Sequence, residues 1–389
     1  MNKLRVGILF GGRSGEHEVS LLSAASVLKA INKDKYEVVP IGISKEGRWL
    51  TDAHAERLLR GEEESGRHLR AGDPQATPRA AVLAKGEAAI VPPVPQSHGL
   101  IPFESAASSG QKSIDVDVIF PVLHGTFGED GTIQGLFELA DIPYVGAGVL
   151  GSAAGMDKDV MKQLFAGAGL AIVKHVTVLR SQWEKEPKKV TKLVESKLKY
   201  PLFVKPANLG SSVGISKAHD RKELGPAIET AAGFDRKIVI EQGVGGKQKA
   251  RELECAVLGN DEPVASVVGE IIPGAEFYDY NAKYIDEGSR PVIPAKISKK
   301  QMKQVQEMAV RAFKSVDCSG LARVDFLMEP KSEKIYLNEI NTMPGFTSIS
   351  MYPKMWEASG LKYSELIDRL IQLALERYQE KKKNRYSRN

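Results

Sequence analysis

The chain has 389 residues, of which 42% are hydrophobic and 26% are charged, with 36 glycines and 20 prolines. This length suggests two or three domains, and this composition excludes a disordered, collagen-like or disulfide-dense protein. The formal net charge of +5 comes entirely from residues 377–389, since residues 1–376 hold 48 basic and 48 acidic residues. We therefore expect no nucleic-acid partner and a basic, solvated end.

The first predicted elements alternate between strands and helices. Residues 5–10 form an apolar strand, a glycine turn follows, and apolar residues then recur at helical spacing up to residue 31. A strand at 36–43, a strand at 114–123 and a helix at 132–139 continue the pattern, whereas residues 51–112 are predicted to be a loop-rich insertion. This alternation predicts an α/β domain over residues 1–146, with a parallel sheet and ligands at the carboxyl ends of its strands.

Two further units follow. Residues 147–242 are predicted to contain a helix at 158–165 and strands at 200–205 and 237–241, with the glycine-serine loop NLGSSVG after the first strand. Residues 243–376 are predicted to contain strands at 251–258, 262–270, 321–328 and 334–340 and helices at 297–316 and 361–375. Residues 377–389 form the basic tail.

The last predicted hairpin carries a candidate metal site. Side chains alternate along a strand, so Arg323 and Asp325 share one face, and Glu339 and Asn341 share another. If the two strands pair antiparallel, the carboxylates of Asp325 and Glu339 converge with the Asn341 amide oxygen, a ligand set that suits Mg²⁺. Arg323 would neutralise charge that develops nearby. A polar hairpin with surface ion pairs is the alternative.

Other polar residues stand at strand and helix ends. Lys205 ends a strand before NLGSSVG, and Lys158 begins a helix, so both are candidates for phosphate binding. The alternative is that NLGSSVG is an ordinary hairpin loop without a ligand. Glu16 and His124 follow strands of the first unit, where a carboxylate either caps a helix or binds a substrate amine. The aromatic stretch FYDYNAKY predicts a packed lid.

Seven strings in this order resemble the D-alanine–D-alanine ligases of the ATP-grasp superfamily. They span most of the chain and are LFGGRSGEHEVSL, HGTFGEDGTIQG, GSAAGMDK, FVKPANLGSSVGISK, EFYDYNAKY, ARVDF and LNEINTMPGFTS. The resemblance implies an ATP-grasp fold with a Rossmann-like N-terminal domain, and ATP-dependent formation of a D-alanyl phosphate that a second D-alanine attacks. The departures from the family pattern are the 51–112 region, the insertion-like GVGGKQKARELE and the tail.

The resemblance also implies roles for single residues. Catalytic roles fall on Glu16, Ser211, Tyr284, Arg323 and Gly345, and substrate-binding roles on His124 and Ser350. The implied ATP-binding residues are Lys158, Lys205, Ser212, Glu241, Gln242, Val244 and Lys283. Asp325, Glu339 and Asn341 are the implied ligands of two Mg²⁺ ions, with Mn²⁺ as a substitute.

The same resemblance implies the cellular setting and the product. The resemblance implies a homodimer that serves peptidoglycan synthesis. We expect a cytoplasmic protein without membrane contact, because the chain start lacks a signal peptide and no apolar run approaches a membrane span. Cys255 and Cys318 show no metal or redox spacing. The intact sequence Ala282-Lys283-Tyr284 favours the dipeptide over a D-alanine–D-lactate product, and a D-alanine–D-serine product stays an alternative.

Overall fold

The computed structural model describes residues 3–51, 87–93, 95, 99–102, 114–245, 248–272, 290–347 and 349–387. Within these residues the chain forms three β-sheets with helices packed against them. No described helix combines the length and the apolar character that a membrane-spanning helix needs. Cys255 and Cys318 are both buried and unpaired.

The N-terminal sheet has seven strands in the order β6-β5-β4-β3-β2-β1-β7. Its strands and flanking helices are β1 (Leu4–Gly11), α1 (His17–Ala30), β2 (Tyr36–Ile43), β3 (Trp49–Thr51), β4 (Glu87–Ile90), β5 (Gly99–Pro102), β6 (Ile114–Asp115), β7 (Val118–Pro121) and α2 (Thr132–Ala140). Strand β1 pairs in parallel with β2 and β7, as predicted. The other strands pair antiparallel, and β4 and β5 lie in the range predicted to be loop-rich, so that prediction missed two strands.

The second sheet has four antiparallel strands in the order β10-β9-β11-β8. Its elements are β8 (His175–Leu179), α5 (Arg180–Lys185), α6 (Pro187–Lys197), β9 (Leu202–Pro206), β10 (Ser216–Ala218), α7 (Arg221–Phe234) and β11 (Lys237–Gln242). Helix α7 begins at its N-cap Asp220, whose carboxylate accepts hydrogen bonds from the backbone N–H groups of Lys222 and Glu223. Buried aliphatic side chains of the helices and strands form one core beneath this sheet.

The third sheet has five antiparallel strands in the order β14-β13-β12-β15-β16. Its strands and main helix are β12 (Arg251–Gly259), β13 (Val264–Ile272), β14 (Arg290–Val292), α8 (Lys299–Ser315), β15 (Gly320–Met328) and β16 (Ile335–Asn341). Helix α8 opens with a capping box between Ser298 and Gln301. Two helices precede the second sheet, α3 (Val149–Met156) and α4 (Lys158–Gly167). Ala154 of α3 and Met161 and Phe165 of α4 belong to the core of the third sheet.

The C-terminal helices join the first and third sheets. Helices α9 (Met351–Ala358) and α10 (Tyr363–Lys381) share one core with strands of both sheets, and the ring of Phe346 packs edge-on against Phe120 at 5.8 Å. This packing fixes the segment between β16 and α9, which carries two of the predicted site residues.

The basic end is partly docked, so the prediction of a solvated tail is wrong for its first residues. Helix α10 continues to Lys381, and Arg377 donates hydrogen bonds to Ser319 Oγ at 2.7 Å, to the Tyr144 carbonyl oxygen at 3.0 Å and to the Gly146 carbonyl oxygen. Lys381 also pairs with Glu138. Residues 382–387 are exposed, as predicted.

Candidate active site

The β15–β16 hairpin brings the predicted metal ligands together. Asp325 lies opposite Glu339 and Arg323 lies opposite Asn341 in the antiparallel register, and Asn341 Nδ2 donates to Asp325 Oδ2 at 3.0 Å. The register shifts between Asp325 and Phe326, which leaves Asn338 as an extra residue in a β-bulge. The structure therefore shows the antiparallel pairing on which the predicted convergence depends.

The bulge explains how β16 can place apolar side chains in the core of the third sheet and polar side chains in the cleft. Leu337 and Ile340 are three residues apart, yet both are buried in the core of the third sheet. Simple alternation would place them on opposite faces. The extra residue at Asn338 shifts the phase, so Glu339 and Asn341 can point into the cleft while the core contacts on both sides are kept.

Arg323 is held in place by acidic neighbours. Its Nε and Nη2 donate to the two carboxylate oxygens of Asp325, each at 2.7 Å, and its Nε lies 3.2 Å from Glu254 Oε2. Burial alone would lower the pKa of Arg323, but the Asp325 and Glu254 carboxylates outweigh burial and raise this pKa well above its ordinary value. Arg323 is therefore a permanent positive charge at the edge of the carboxylate pair.

The donor set fits Mg²⁺ by its chemistry. Asp325, Glu339 and Asn341 offer carboxylate and amide oxygens, and Mg²⁺ commonly uses one or two carboxylates and completes its shell with water and substrate phosphates. Within the described part of the chain, no three Asp, Glu, His or Cys side chains form a ready-made metal cluster. The protein alone therefore offers a partial site that suits a phosphate-bound ion.

A cavity of about 440 Å³ lies between the second and third sheets. This volume is within the usual range for a small-molecule site. Apolar side chains such as Phe203 and Phe326 form part of its wall, and the hairpin carboxylates Asp325 and Glu339 form another part. The predicted nucleotide-binding residues in its lining are Lys205, Ser212, Glu241, Gln242 and Val244.

One buried carboxylate in this cleft lies between two lysines. Glu241 Oε2 is 2.8 Å from Lys205 Nζ, and Glu241 Oε1 is 2.9 Å from Lys162 Nζ. Burial alone would raise the pKa of Glu241, but the two ammonium groups outweigh burial and lower it. For Lys205, burial opposes the charged form, and the Glu241 carboxylate more than restores it, so its pKa is raised. The contacts therefore favour the charged forms of Glu241 and Lys205.

The glycine-serine loop between β9 and β10 closes over the N-terminal unit. Ser211 and Ser212 have positive φ angles of 48° and 60°, and the Ser211 hydroxyl donates a hydrogen bond to Glu16 Oε1. Lys158 Nζ donates to the Leu209 carbonyl oxygen in the same loop at 2.6 Å. Residues predicted for the amine site and for the phosphate site thus meet at this loop.

A second, smaller cavity of about 70 Å³ connects these regions. Its lining includes Glu16, Glu129 and Lys158 on one side and Glu339 and Asn341 on the other. Ser212 and Glu339 line both this cavity and the larger cleft. The predicted amino-acid and nucleotide sites are therefore adjacent rather than separate.

His124 is buried beside two carboxylates. Its Nδ1 donates to the Met343 carbonyl oxygen at 3.1 Å, which leaves Nε2 to accept a hydrogen bond from Ser23 Oγ at 3.0 Å. Burial lowers the pKa of His124, against the opposing effect of the Glu16 carboxylate. Burial and then the Glu16 charge raise the pKa of Glu129 to about 8. We infer a neutral imidazole and a protonated Glu129 carboxyl at neutral pH.

The segment after β16 brings Gly345 close to Ser350. A Cβ added at Gly345 would lie 3.0 Å from Ser350 Oγ, which would require that side chain to shift. Ser350 Oγ also accepts from the Thr347 backbone N–H at 3.1 Å. These two predicted residues therefore form one small turn at the base of the site.

Two predicted residues lie outside the described residues, and other residues were missed. Lys283 and Tyr284 belong to the stretch 273–289, which the structure does not describe. The missed residues that line or support the cleft are Lys162, Glu129 and Glu254. Glu254 stands opposite Asp325 on β12, so pairing of the predicted strands could have indicated it. Lys162 stands one helical turn after Lys158, a spacing that by itself indicates no function.

Comparisons with known proteins agree across the chain. Family models described as D-ala D-ala ligase N-terminus and D-ala D-ala ligase C-terminus match residues 5–147 and 164–372. The chain is 52% identical to the D-alanine--D-alanine ligase of Acetivibrio thermocellus, with 97% of each chain covered. It is 49% identical to that of Bacillus cytotoxicus, with 100% of each chain covered.

Solved structures give the same family. The D-alanine-D-alanine ligase from Coxiella burnetii superposes with a TM-score of 0.81 at 35% identity, covering 98% of this chain and 97% of that one. The VanG D-Ala:D-Ser ligase from Enterococcus faecalis superposes with a TM-score of 0.80 at 38% identity, covering 96% of this chain and 100% of that one. With both family models matched and half of its residues identical to such relatives, the chain belongs to the D-alanine–D-alanine ligase family and has the ATP-grasp fold.

Proposed function

We propose that this ligase joins two D-alanine molecules into a dipeptide for peptidoglycan synthesis and converts ATP to ADP and phosphate. The observation that carries the proposal is the continuity of the two cavities. Glu16, which suits a substrate ammonium, shares the smaller cavity with Glu339, and Glu339 also lines the larger cleft. An amino acid and a nucleotide can therefore meet at one point, as a phosphoryl transfer requires.

The larger cleft is proposed to bind ATP. The base and ribose would occupy the part near Glu241, Gln242 and Val244, and the phosphates would lie toward Lys205 and Ser212. Lys158 and the lid residue Lys283 are proposed as further phosphate contacts. Asp325, Glu339 and Asn341 would hold two Mg²⁺ ions, or Mn²⁺, and bound Mg²⁺ would neutralise phosphate charge.

The proposed first step is phosphoryl transfer. Glu16 binds the ammonium of the first D-alanine, and the contacts of Glu16 with Ser211 and of His124 with Met343 hold that side of the site in place. A carboxylate oxygen of this D-alanine forms a bond to the γ-phosphorus as the bond to the ADP oxygen breaks. The product is an acyl phosphate, and positioning by these residues supplies most of the catalysis.

The proposed second step is acyl transfer. Ser350 holds the carboxylate of the second D-alanine, whose neutral amine attacks the acyl carbon. The carbon–oxygen bond to phosphate then breaks, and the leaving phosphate takes up the proton that the nitrogen loses. Arg323 and the Gly345 backbone N–H would stabilise the negative oxygen of the tetrahedral intermediate. Tyr284 is proposed to join Ser211 and Glu16 in a hydrogen-bonded group at the first substrate.

A product assay tests the reaction. Purified protein with ATP, Mg²⁺ and D-alanine should release ADP and phosphate in amounts equal to the dipeptide formed. Absence of D-alanine-dependent phosphate release would contradict the proposal. Mixtures of D-alanine with D-serine or D-lactate test the alternative products, which the D-Ala:D-Ser ligase among the similar structures makes worth measuring. A dominant mixed product at neutral pH would replace the dipeptide assignment.

We also propose a cytoplasmic homodimer. Apolar side chains on the adjoining helices α2 and α3 support self-association, because Leu139 and Leu150 are 64% and 63% exposed. Exposed apolar residues that cluster on a surface often mark an interface. Light scattering of the purified protein would give the mass, and Leu139→Lys should shift it toward the monomer if this face is used.

A further inference from the structure

Lys162 is the least exposed charged residue in the site region. Its side chain is fully enclosed, although lysine is almost never buried without a specific partner. It projects from α4, one turn after Lys158, toward the back of the large cleft rather than into it. The cavity lining includes Lys205 and Glu241 but not Lys162. Lys162 therefore acts on any bound molecule through other residues.

Two contacts define its position. Lys162 Nζ lies 2.9 Å from Glu241 Oε1 on β11, and it donates to the Asn338 carbonyl oxygen on β16 at 3.2 Å. Strand β11 belongs to the second sheet and β16 to the third. One ammonium group thus connects the two walls of the cleft, and its second contact is the bulge residue that lets Glu339 face the site.

The charges of this cluster do not cancel. Lys162 and Lys205 share the single carboxylate of Glu241, so the three groups carry a net charge of +1. Without Lys162, the Lys205–Glu241 pair would carry no net charge, and the carboxylates of Glu339 and Glu252, which also act on Lys205, would leave still less positive charge for a ligand. Inside a protein such a change acts strongly, because water screens the charges poorly.

We propose that Lys162 is a positioning residue that neutralises Glu241 from behind and thereby leaves the charge of Lys205 available to nucleotide phosphates. This inference rests on the proposed binding of ATP in the cleft. It makes a specific claim about ligand chemistry: Lys162 favours phosphate-bearing nucleotides and has little effect on the nucleoside part. If Lys162 only stabilised the fold, its substitution would weaken the binding of nucleotides and of nucleosides equally.

Calorimetric titration with ADP and with adenosine, at one fixed Mg²⁺ concentration, tests the claim. Lys162→Met should weaken ADP binding roughly tenfold and change adenosine binding less than about twofold. Lys162→Arg, which keeps the charge, should stay within about threefold of the parent for both ligands. If Lys162→Met does not fold by circular dichroism, Lys162→Gln carries the same expectation.

Two reference variants separate the possible outcomes. Phe165→Leu changes a buried core residue one turn further along α4, so it reports the effect of lost stability alone. Lys205→Ala reports whether phosphates bind at this position at all. Equal effects of Lys162→Met on ADP binding and adenosine binding, or no effect on either, would overturn the inference about Lys162.

Lys205→Ala tests the proposed nucleotide site itself. Weakened ADP binding in this variant would support that site, and unchanged ADP binding would contradict it.

Discussion

Two buried glutamates lie on opposite sides of this site, and their neighbours shift their pKa values in opposite directions. Glu241, on the nucleotide side, has two lysine partners, and its pKa is lowered despite burial. Glu129, on the amino-acid side, is near Glu16, and its pKa is raised to about 8. Burial favours a raised pKa at both glutamates, and only at Glu241 do neighbouring ammonium groups reverse that effect.

The difference assigns different functions to the two sides. The two ammonium groups of Lys162 and Lys205 exceed the single charge of Glu241, so this cluster adds positive charge to the proposed nucleotide side, which suits phosphates. A protonated Glu129 reduces the negative charge around Glu16, so a single substrate ammonium can balance what remains. We infer that the site can bind both an anionic phosphate and a cationic ammonium group because Glu241 is ionised and Glu129 is protonated.

The largest effect on stability is expected at Glu241. Glu241→Gln leaves two buried lysines without their carboxylate, which should lower the free energy of unfolding by about 3–5 kcal/mol. Because the folded-state pKa of Glu241 is lowered, its contribution is fully present above the unfolded pKa and is lost only as pH falls through the folded value. Urea denaturation at pH 6 and pH 8 should therefore give the same loss, and Glu357→Gln, at an exposed position, should cost almost nothing.

The hairpin carboxylates should affect catalysis more than folding. Asp325→Asn and Glu339→Gln remove proposed metal ligands, so turnover should fall by roughly a hundredfold or more, equivalent to about 3 kcal/mol in the barrier. Thermal denaturation of Glu339→Gln should change little, in contrast to Glu241→Gln, whereas Asp325→Asn also removes one of the two carboxylates that hold Arg323 and should lower the melting temperature more. Steady-state ADP release at saturating D-alanine measures the loss. Normal turnover in both variants would remove the metal assignment.

Sequence patterns found the parts of the site that follow simple periodicity. Alternation on β15 and β16 was enough to bring Asp325, Glu339 and Asn341 together, although it did not predict the bulge at Asn338. Lys162 was missed because a lysine one turn after another is ordinary on a solvated helix. Only the tertiary packing of α4 against both walls of the cleft makes that lysine unusual.

Other differences have equally local reasons. Strands β4 and β5 are short, and the sequence around them is rich in proline and glycine, so no alternation reveals them. Glu129 is one of two adjacent acids in the motif HGTFGEDG, and sequence alone does not show which of them is buried near Glu16. The basic end looked solvated by composition, whereas Arg377 is held by backbone carbonyl groups distant in sequence.

A moderate, pH-dependent effect is expected at Glu129. Its folded-state pKa is raised, so its contribution to stability is fully present below the unfolded pKa near 4 and is lost as pH rises toward about 8. Glu129→Gln, which is neutral at every pH, should gain stability over the parent by about 1 kcal/mol per pH unit across this range. Urea denaturation at pH 6 and pH 8 measures the gain. If the difference in unfolding free energy between Glu129→Gln and the parent does not change with pH, as expected for Glu241→Gln, the opposite pKa shifts of the two glutamates would be contradicted.

The smallest effect is expected at Arg377, which extends the comparison to a cation held mainly by carbonyl and hydroxyl oxygens. Burial lowers the pKa of Arg377, and its guanidinium is satisfied by carbonyl oxygens, by Ser319 and by the ring of Tyr144 at 4.3 Å. Arg377→Ala should lower the unfolding free energy by about 2 kcal/mol through these lost contacts. Truncation after residue 383 removes a segment whose described residues, 384–387, are exposed, and it should change stability and ligase activity by less than about 0.5 kcal/mol. An equal loss in the two variants would mean that the exposed end, rather than Arg377, fastens α10 to the N-terminal unit.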